Sequence, residues 1–256
     1  HWMVHSFPTR RSSDLRQSDQ AGNKPKVAVS IYPLAFVAER VGGERIELSQ
    51  VVPGGAEPHD FEPTARDLAA FSDSDLAVVI GSGLEPWAER SGLPARQLLI
   101  ASESLPLLEG GEEGHGTDPH VWLAPKLLGA IAAKVGARLS EIDPAGASYY
   151  DGNLAALQAD LSRLDEDYRV SLSDCGRSDF ISSHAAFAYL ASAYGLRQVP
   201  IAGLEPGAEP SPRELTDLAK FAKDNDIHYI FFETMVSPEL AKSLADEVGA
   251  ATLVLN

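Results

Sequence analysis

Cysteine is almost absent from this 256-residue chain: Cys175 stands alone, so no disulfide can close within the chain and no metal site can be built from its thiolates. Basic residues are also few. The 21 Lys and Arg are outnumbered by 37 Asp and Glu, giving a formal charge of -16 and a pI near 4.8, which argues against nucleic acid or an anionic membrane surface as partner. No apolar run reaches the roughly 20 residues of a membrane-spanning helix. The His-Glu-x-x-His helix and the Gly-x-Ser-x-Gly elbow of hydrolytic enzymes are missing, and Gly81-Ser82-Gly83 lacks both the third glycine and the Gly-Lys-Ser/Thr sequel of nucleotide loops. What is present is an acidic chain, 44% apolar, long enough for one large core or two smaller ones.

Three of the seven histidines sit in polar, turn-forming contexts in separate regions: Pro58-His59-Asp60, Asp118-Pro119-His120 and Ser183-His184-Ala185. Neutral imidazole is the commonest protein ligand for zinc-like ions, and three imidazoles plus an oxygen donor complete a tetrahedral shell. These histidines are too far apart for a local finger, so only a tertiary fold can bring them together. A single histidine in a chain of this length is more often a surface or satisfied core residue than a ligand. That ordinary reading is kept for His1 and His5 in a polar tail, His115 in a Gly-rich loop and His228 at a strand start.

Residues 1–25 read as a non-native or disordered tail. The stretch 1–20 is rich in Ser, Arg and Gln with no apolar run, and 6–15 resembles a translated sequencing adaptor that replaces a native export signal. From Lys26 onward, short β-branched runs alternate with helical patterns. Strands are expected at 27–31, 46–52, 76–80 and 98–101, with a helix through Phe36 and Val37 ended by Gly42-Gly43, and another opened by Thr64 with Asp67 as its capping partner. The segment 126–142 is helical, and Asp143-Pro144 opens a helix through Leu154, Leu157, Leu161 and Leu164 to about residue 172, a rigid strut between two lobes. A second series follows: strands at 180–183, 198–202, 229–232 and 251–255, and helices at 185–194, 212–225 with Ser211 as N-cap, and 238–248. The chain stops after the last strand with no helix to cover it, which reads as a truncated C-terminus.

The expected fold is α/β: two lobes with parallel sheets flanked by helices, an N-terminal lobe over 26–142, a linking helix over 143–173 and a C-terminal lobe over 174–256. His184 then lies at the carboxyl end of a strand and His59 in the loop after another, the edge where open parallel sheets bind ligands. A site in the cleft between the lobes takes two histidines from the first and one from the second.

Five segments carry a more specific signal. The runs 51–64 around Pro58-His59-Asp60, Asp118-Pro119-His120-Val121-Trp122-Leu123 and 182–190 around His184 resemble the metal-ligand motifs of the zinc/manganese solute-binding proteins of ABC importers. Gly83-Leu84-Glu85-Pro86-Trp87 and the run 203–212 are similar to further motifs of that family, in the same order, and the likeness covers residues 26–256. The resemblance implies a pair of α/β lobes on one long helix, little hinge motion, and a metal ion in the cleft held by His59, His120 and His184. Members selecting manganese tend to carry a carboxylate where His184 stands, so zinc is expected and manganese is the alternative. It further implies a monomer, periplasmic or extracellular and with or without a lipid anchor, that delivers the ion to an ABC-importer membrane permease. A metal-dependent adhesin and, further off, a zinc hydrolase are the competing functions.

The family's fourth ligand is an aspartate beyond the last strand, which this sequence does not reach. The shell is then three histidines plus water, or borrows Glu57 or Glu233. Glu233 follows a strand end and either faces the cleft or is a surface carboxylate at a helix start. Asp60 and Asp118 suit orientation of imidazoles better than ligation, or serve as turn or cap residues. The Gly-rich loop 109–116, with its acidic residues and His115, reads as a solvated loop rather than a capture site.

Overall fold

The computed structural model describes residues 24–110, 116–204, 207, 210–234 and 237–255. All but the last two residues of the expected tail, the centre of the loop 109–116 and Asn256 lie outside the described residues, as do parts of the run 203–212.

The first half builds a parallel sheet from β1 (Lys26–Val29), β2 (Glu47–Gln50), β3 (Leu76–Val79) and β4 (Leu98–Ile100), in the order β2-β1-β3-β4. The central strands are apolar because helices cover both faces: Val27, Ala28 and Val29 and all four residues of β3 are buried. The edge strand β2, Glu-Leu-Ser-Gln, alternates between exposed and half-buried positions.

One face packs on α1 (Tyr32–Gly42), α4 (Pro125–Ile142) and α5 (Ala147–Ser173) through Leu34, Val37, Ile131, Val135 and Leu157. The other face meets Phe71 of α2 (Ala65–Ser72) and Trp87 of α3 (Pro86–Glu89). Helix α2 starts where the sequence places it. Thr64 accepts from the Asp67 amide, and the Asp67 carboxylate accepts from the Thr64 amide.

The second half repeats the plan. Strands β5 (Asp179–Ser182), β6 (Arg197–Pro200), β7 (Tyr229–Phe232) and β8 (Ala251–Val254) form a parallel sheet in the order β6-β5-β7-β8. Helices α7 (Pro212–Asp224) and α8 (Glu239–Val248) cover the face bearing Ile181 and Ile230. The remaining helix, α6 (Ala188–Tyr194), sends Tyr189 into the core of the first lobe. The linking helix α5, 27 residues long, spans about 40 Å at 1.5 Å per residue.

Two expectations are corrected. The helix expected from Asp143 begins at Ala147, after a 3-10 turn over Pro144–Gly146, because Asp143 leaves α4 with an extended φ of -132°. Its carboxylate is held there by Arg45 and by Tyr150 Oη at 2.7 Å. The helix expected from residue 185 begins three residues later. Residues 184–187 are bonded across to the β6 region instead: the Ala185 amide to Gly203 O, the Phe187 amide to Gln198 Oε1, and His184 O to Gln198 Nε2. Helix α3 is a single turn, too short to leave a periodic pattern.

Candidate metal centre

The three histidines reach one point from three segments. His59 lies in the loop after β2. The strand's pairing with β1 continues through the amides of Val51 and Val52, and Pro53-Gly54-Gly55 then turns the chain, with Gly55 at φ 87°. Glu57 accepts the His59 amide at 3.2 Å, closing a local turn. His120 follows an antiparallel excursion that pairs Glu109 with Thr117, and precedes a 3-10 turn over Val121–Leu123. His184 lies two residues beyond β5, where the order β6-β5-β7-β8 reverses direction. Its carbonyl accepts from Ser182 Oγ at 2.9 Å and from Gln198 Nε2 at 2.7 Å.

One ring nitrogen from each of His59, His120 and His184 lies within 4.8 Å of the other two. The His59 and His120 Nε2 atoms are 3.2 Å apart. Two nitrogens sharing a tetrahedral ion at 2.0–2.1 Å each sit about 3.3 Å apart, so the donor set fits a zinc-sized ion. Among the described residues, no carboxylate oxygen shares this cluster.

His120 and His184 are buried and His59 is half-buried. The rings open on a cleft of about 640 Å³, lined on its apolar side by Tyr32, Leu84, Trp122 and Phe187. Burial, together with the nearby His120 and His184, lowers the His59 pKa to about 4, so this ring is neutral and able to ligate at pH 7.

Carboxylates stand behind the two buried imidazoles. Asp118 Oδ1 accepts from the His120 amide at 2.9 Å and lies 2.8 Å from ring Nδ1, which leaves Nε2 facing His59. Glu233, directly after β7, accepts from Ser183 Oγ and lies 3.3 Å from His184 Nδ1. That second pair is within ion-pair distance but out of line for a hydrogen bond, and both atoms are buried with no other bonding partner. Glu57 lines the cleft but bonds to loop backbone. Asp60 is exposed, and among the described residues no hydrogen bond joins it to an imidazole; its carboxylate is close to Gly207. His228 is half exposed and precedes β7, at the opposite end of that strand from Glu233, and is paired with Asp226 and Arg177.

Sequence reasoning missed Gln198 and Ser182, which anchor the His184 carbonyl. A polar residue inside an expected strand carries no local sign of a neighbour 14 residues away. It also missed Trp122 as a wall, its ring 5.2 Å from that of His120.

Comparison with known proteins identifies the family. The model of the family described as "ZnuA: Zinc-uptake complex component A periplasmic" matches residues 27–256. The Bacillus subtilis "High-affinity zinc uptake system protein ZnuA" is 36% identical over 96% of this chain and 82% of its own length. The Streptococcus pneumoniae "Zinc-binding lipoprotein AdcA" is 35% identical over 93% of this chain, which spans only 50% of that relative. A solved crystal structure of ZnuA superposes with a TM-score of 0.84 at 35% identity, covering 91% of each chain. With that match running from β1 to the end of the sequence, the chain belongs to the ZnuA family of periplasmic zinc-uptake components.

Proposed function

We propose that the protein binds one divalent transition-metal ion, zinc, in the cleft between its lobes through His59, His120 and His184, and delivers it to the membrane permease of an ABC importer. The observation that carries this reading is the convergence of three imidazoles from three distant segments within 4.8 Å. An all-nitrogen donor set favours zinc over manganese, which prefers oxygen-rich shells. Relatives named for zinc uptake and zinc binding support the same choice.

In this reading Asp118 and Glu233 orient the rings of His120 and His184, Glu57 shapes the His59 loop, and Asp60 stays outside the site. The working units are an N-terminal lobe over 26–142, the linking helix over 143–173 and a C-terminal lobe from 174. The protein acts as a monomer on the outer side of the cytoplasmic membrane, as a carrier of its ion rather than a catalyst.

Isothermal titration calorimetry tests this. The wild-type protein is expected to bind zinc one to one. His184→Ala should weaken binding on the order of 100-fold or more, beyond what the loss of a supporting residue costs, while His228→Ala leaves it unchanged. Equal effects of the two substitutions would place the site elsewhere.

A further inference from the structure

Tyr189 belongs to a segment singled out in the sequence for His184, yet the metal reading gives it no role. It lies on α6, five residues beyond His184, and is 4% exposed. Its ring sits in the hydrophobic core of the first lobe, with Val121 and Ala124. Its hydroxyl donates to Asp118 O at 2.8 Å and accepts from the Leu108 amide at 2.9 Å.

Those two backbone groups belong to the two arms of the antiparallel excursion that leads into His120. The arms are joined directly by Gly110 N to Gly116 O at 3.1 Å and by Asp118 N to Leu108 O at 3.0 Å. In a regular antiparallel pair, Leu108 N would return a bond to Asp118 O. Here the Tyr189 hydroxyl is inserted into that rung and relays it. Burial raises the phenol pKa, so the hydroxyl keeps the proton that it donates.

We propose that Tyr189 is the positioning residue that holds the two lobes' metal ligands in register, because its hydroxyl ties α6, which follows His184, into the backbone rung that carries Asp118 and His120. The path is short. The hydroxyl fixes the Asp118 carbonyl, the Asp118 carboxylate fixes both the amide and the Nδ1 of His120, and the same tyrosine, in the first turn of α6, is joined to His184 by the short segment 185–188, whose Ala185 and Phe187 amides are bonded to Gly203 O and Gln198 Oε1. Phenylalanine would fill the same space but can neither donate nor accept. Leu108 N and Asp118 O would then have to close on each other, moving the arm before His120, or stay unpaired in a buried place. This inference rests on the reading that His120 and His184 share one ion.

The test compares zinc affinity and the visible spectrum of the cobalt(II)-loaded protein, whose band intensities report ligand geometry, in Tyr189→Phe, Tyr194→Phe and His120→Ala. Tyr194 is on the same helix and also bonds across to another element, donating to Asp165 Oδ1 at 3.1 Å, but does not touch the ligand segments. Tyr189→Phe should bind zinc on the order of tenfold more weakly, at the lower end for loss of a supporting residue, with an altered cobalt spectrum. Tyr194→Phe should match the wild type in both. Wild-type affinity and spectrum in Tyr189→Phe, with binding lost in His120→Ala, would overturn the role of Tyr189 and leave the site intact. Retained binding in His120→Ala would overturn both.

If Tyr189→Phe does not fold, hydrogen exchange on the wild type decides. Coupling is reciprocal, so zinc loading should increase protection of the Leu108 amide. Protection that is the same with and without zinc would overturn the proposal.

Discussion

Asp118 Oδ1 takes both the backbone amide and the ring Nδ1 of His120, so one oxygen sets the position and the tautomer of a buried imidazole. Asp118→Asn keeps the shape but weakens the acceptor and can present an amide NH₂ to a ring that needs to donate. Zinc affinity should fall 10- to 100-fold, measured by competition with a chromophoric chelator; a change under about twofold would show that Asp118 does not orient the ring. His59 makes a different prediction. Its folded pKa is lowered to about 4, first by burial and then by the neighbouring histidines, whereas the unfolded chain takes up this proton near 6.5. The unfolded state therefore binds more protons between those values. The stability that the neutral ring contributes is complete above about pH 6.5 and is lost as the pH falls toward 4. Urea unfolding of the metal-free protein at pH 7.5 and 5 should show this loss, and His59→Gln should flatten it; an unchanged slope would contradict the lowered pKa.

At the scale of elements, the apolar stripe of α5 shows what periodicity can and cannot tell. Leu154, Leu157, Leu161 and Leu164 repeat at helical spacing, yet Leu157 is fully buried, Leu161 nearly so, and Leu164 is 43% exposed because the helix runs past the edge of the first core. Leu157→Ala should cost about 2–5 kcal/mol in urea unfolding, since it removes buried methyl groups and leaves a cavity. Leu164→Ala should stay within about 0.5 kcal/mol, and similar costs for both would mean that α5 is packed differently. The stripe was legible in the sequence, and so were the capping pair of Thr64 with Asp67 and the N-cap Ser211, because each signal lies within one turn. The late start of α6 was not. It depends on Gln198 and Gly203 bonding to the segment before the helix, contacts that exist only once β6 lies beside β5.

At the scale of the molecule, the three histidines were legible as a set because His59 and His184 follow strand ends at a sheet edge, and motif resemblance joined His120 to them. Their supports divide. Asp118 is two residues from His120 and could be named from the sequence, while the inserted rung of Tyr189 could not, since a tyrosine on an apolar helix face reads as core. That side chain, seated in the first lobe's core but carried by the second lobe, also bears on how the protein unfolds. In the proposed site an ion bridges His59 and His120 on one side to His184 on the other, so metal binding should stabilise the contact between lobes rather than either lobe alone. Zinc at 100 times its Kd should add about 2.7 kcal/mol, and at about 2–4 °C per kcal/mol for a chain of this size the melting temperature should rise by roughly 5–10 °C. A chelator should reverse the rise, and acidification should shrink it, because protons compete with metal for imidazole. Differential scanning calorimetry should show one transition that moves as a whole. Two transitions, only one of them shifted by zinc, would mean that the lobes unfold separately and that neither Tyr189 nor the ion couples them.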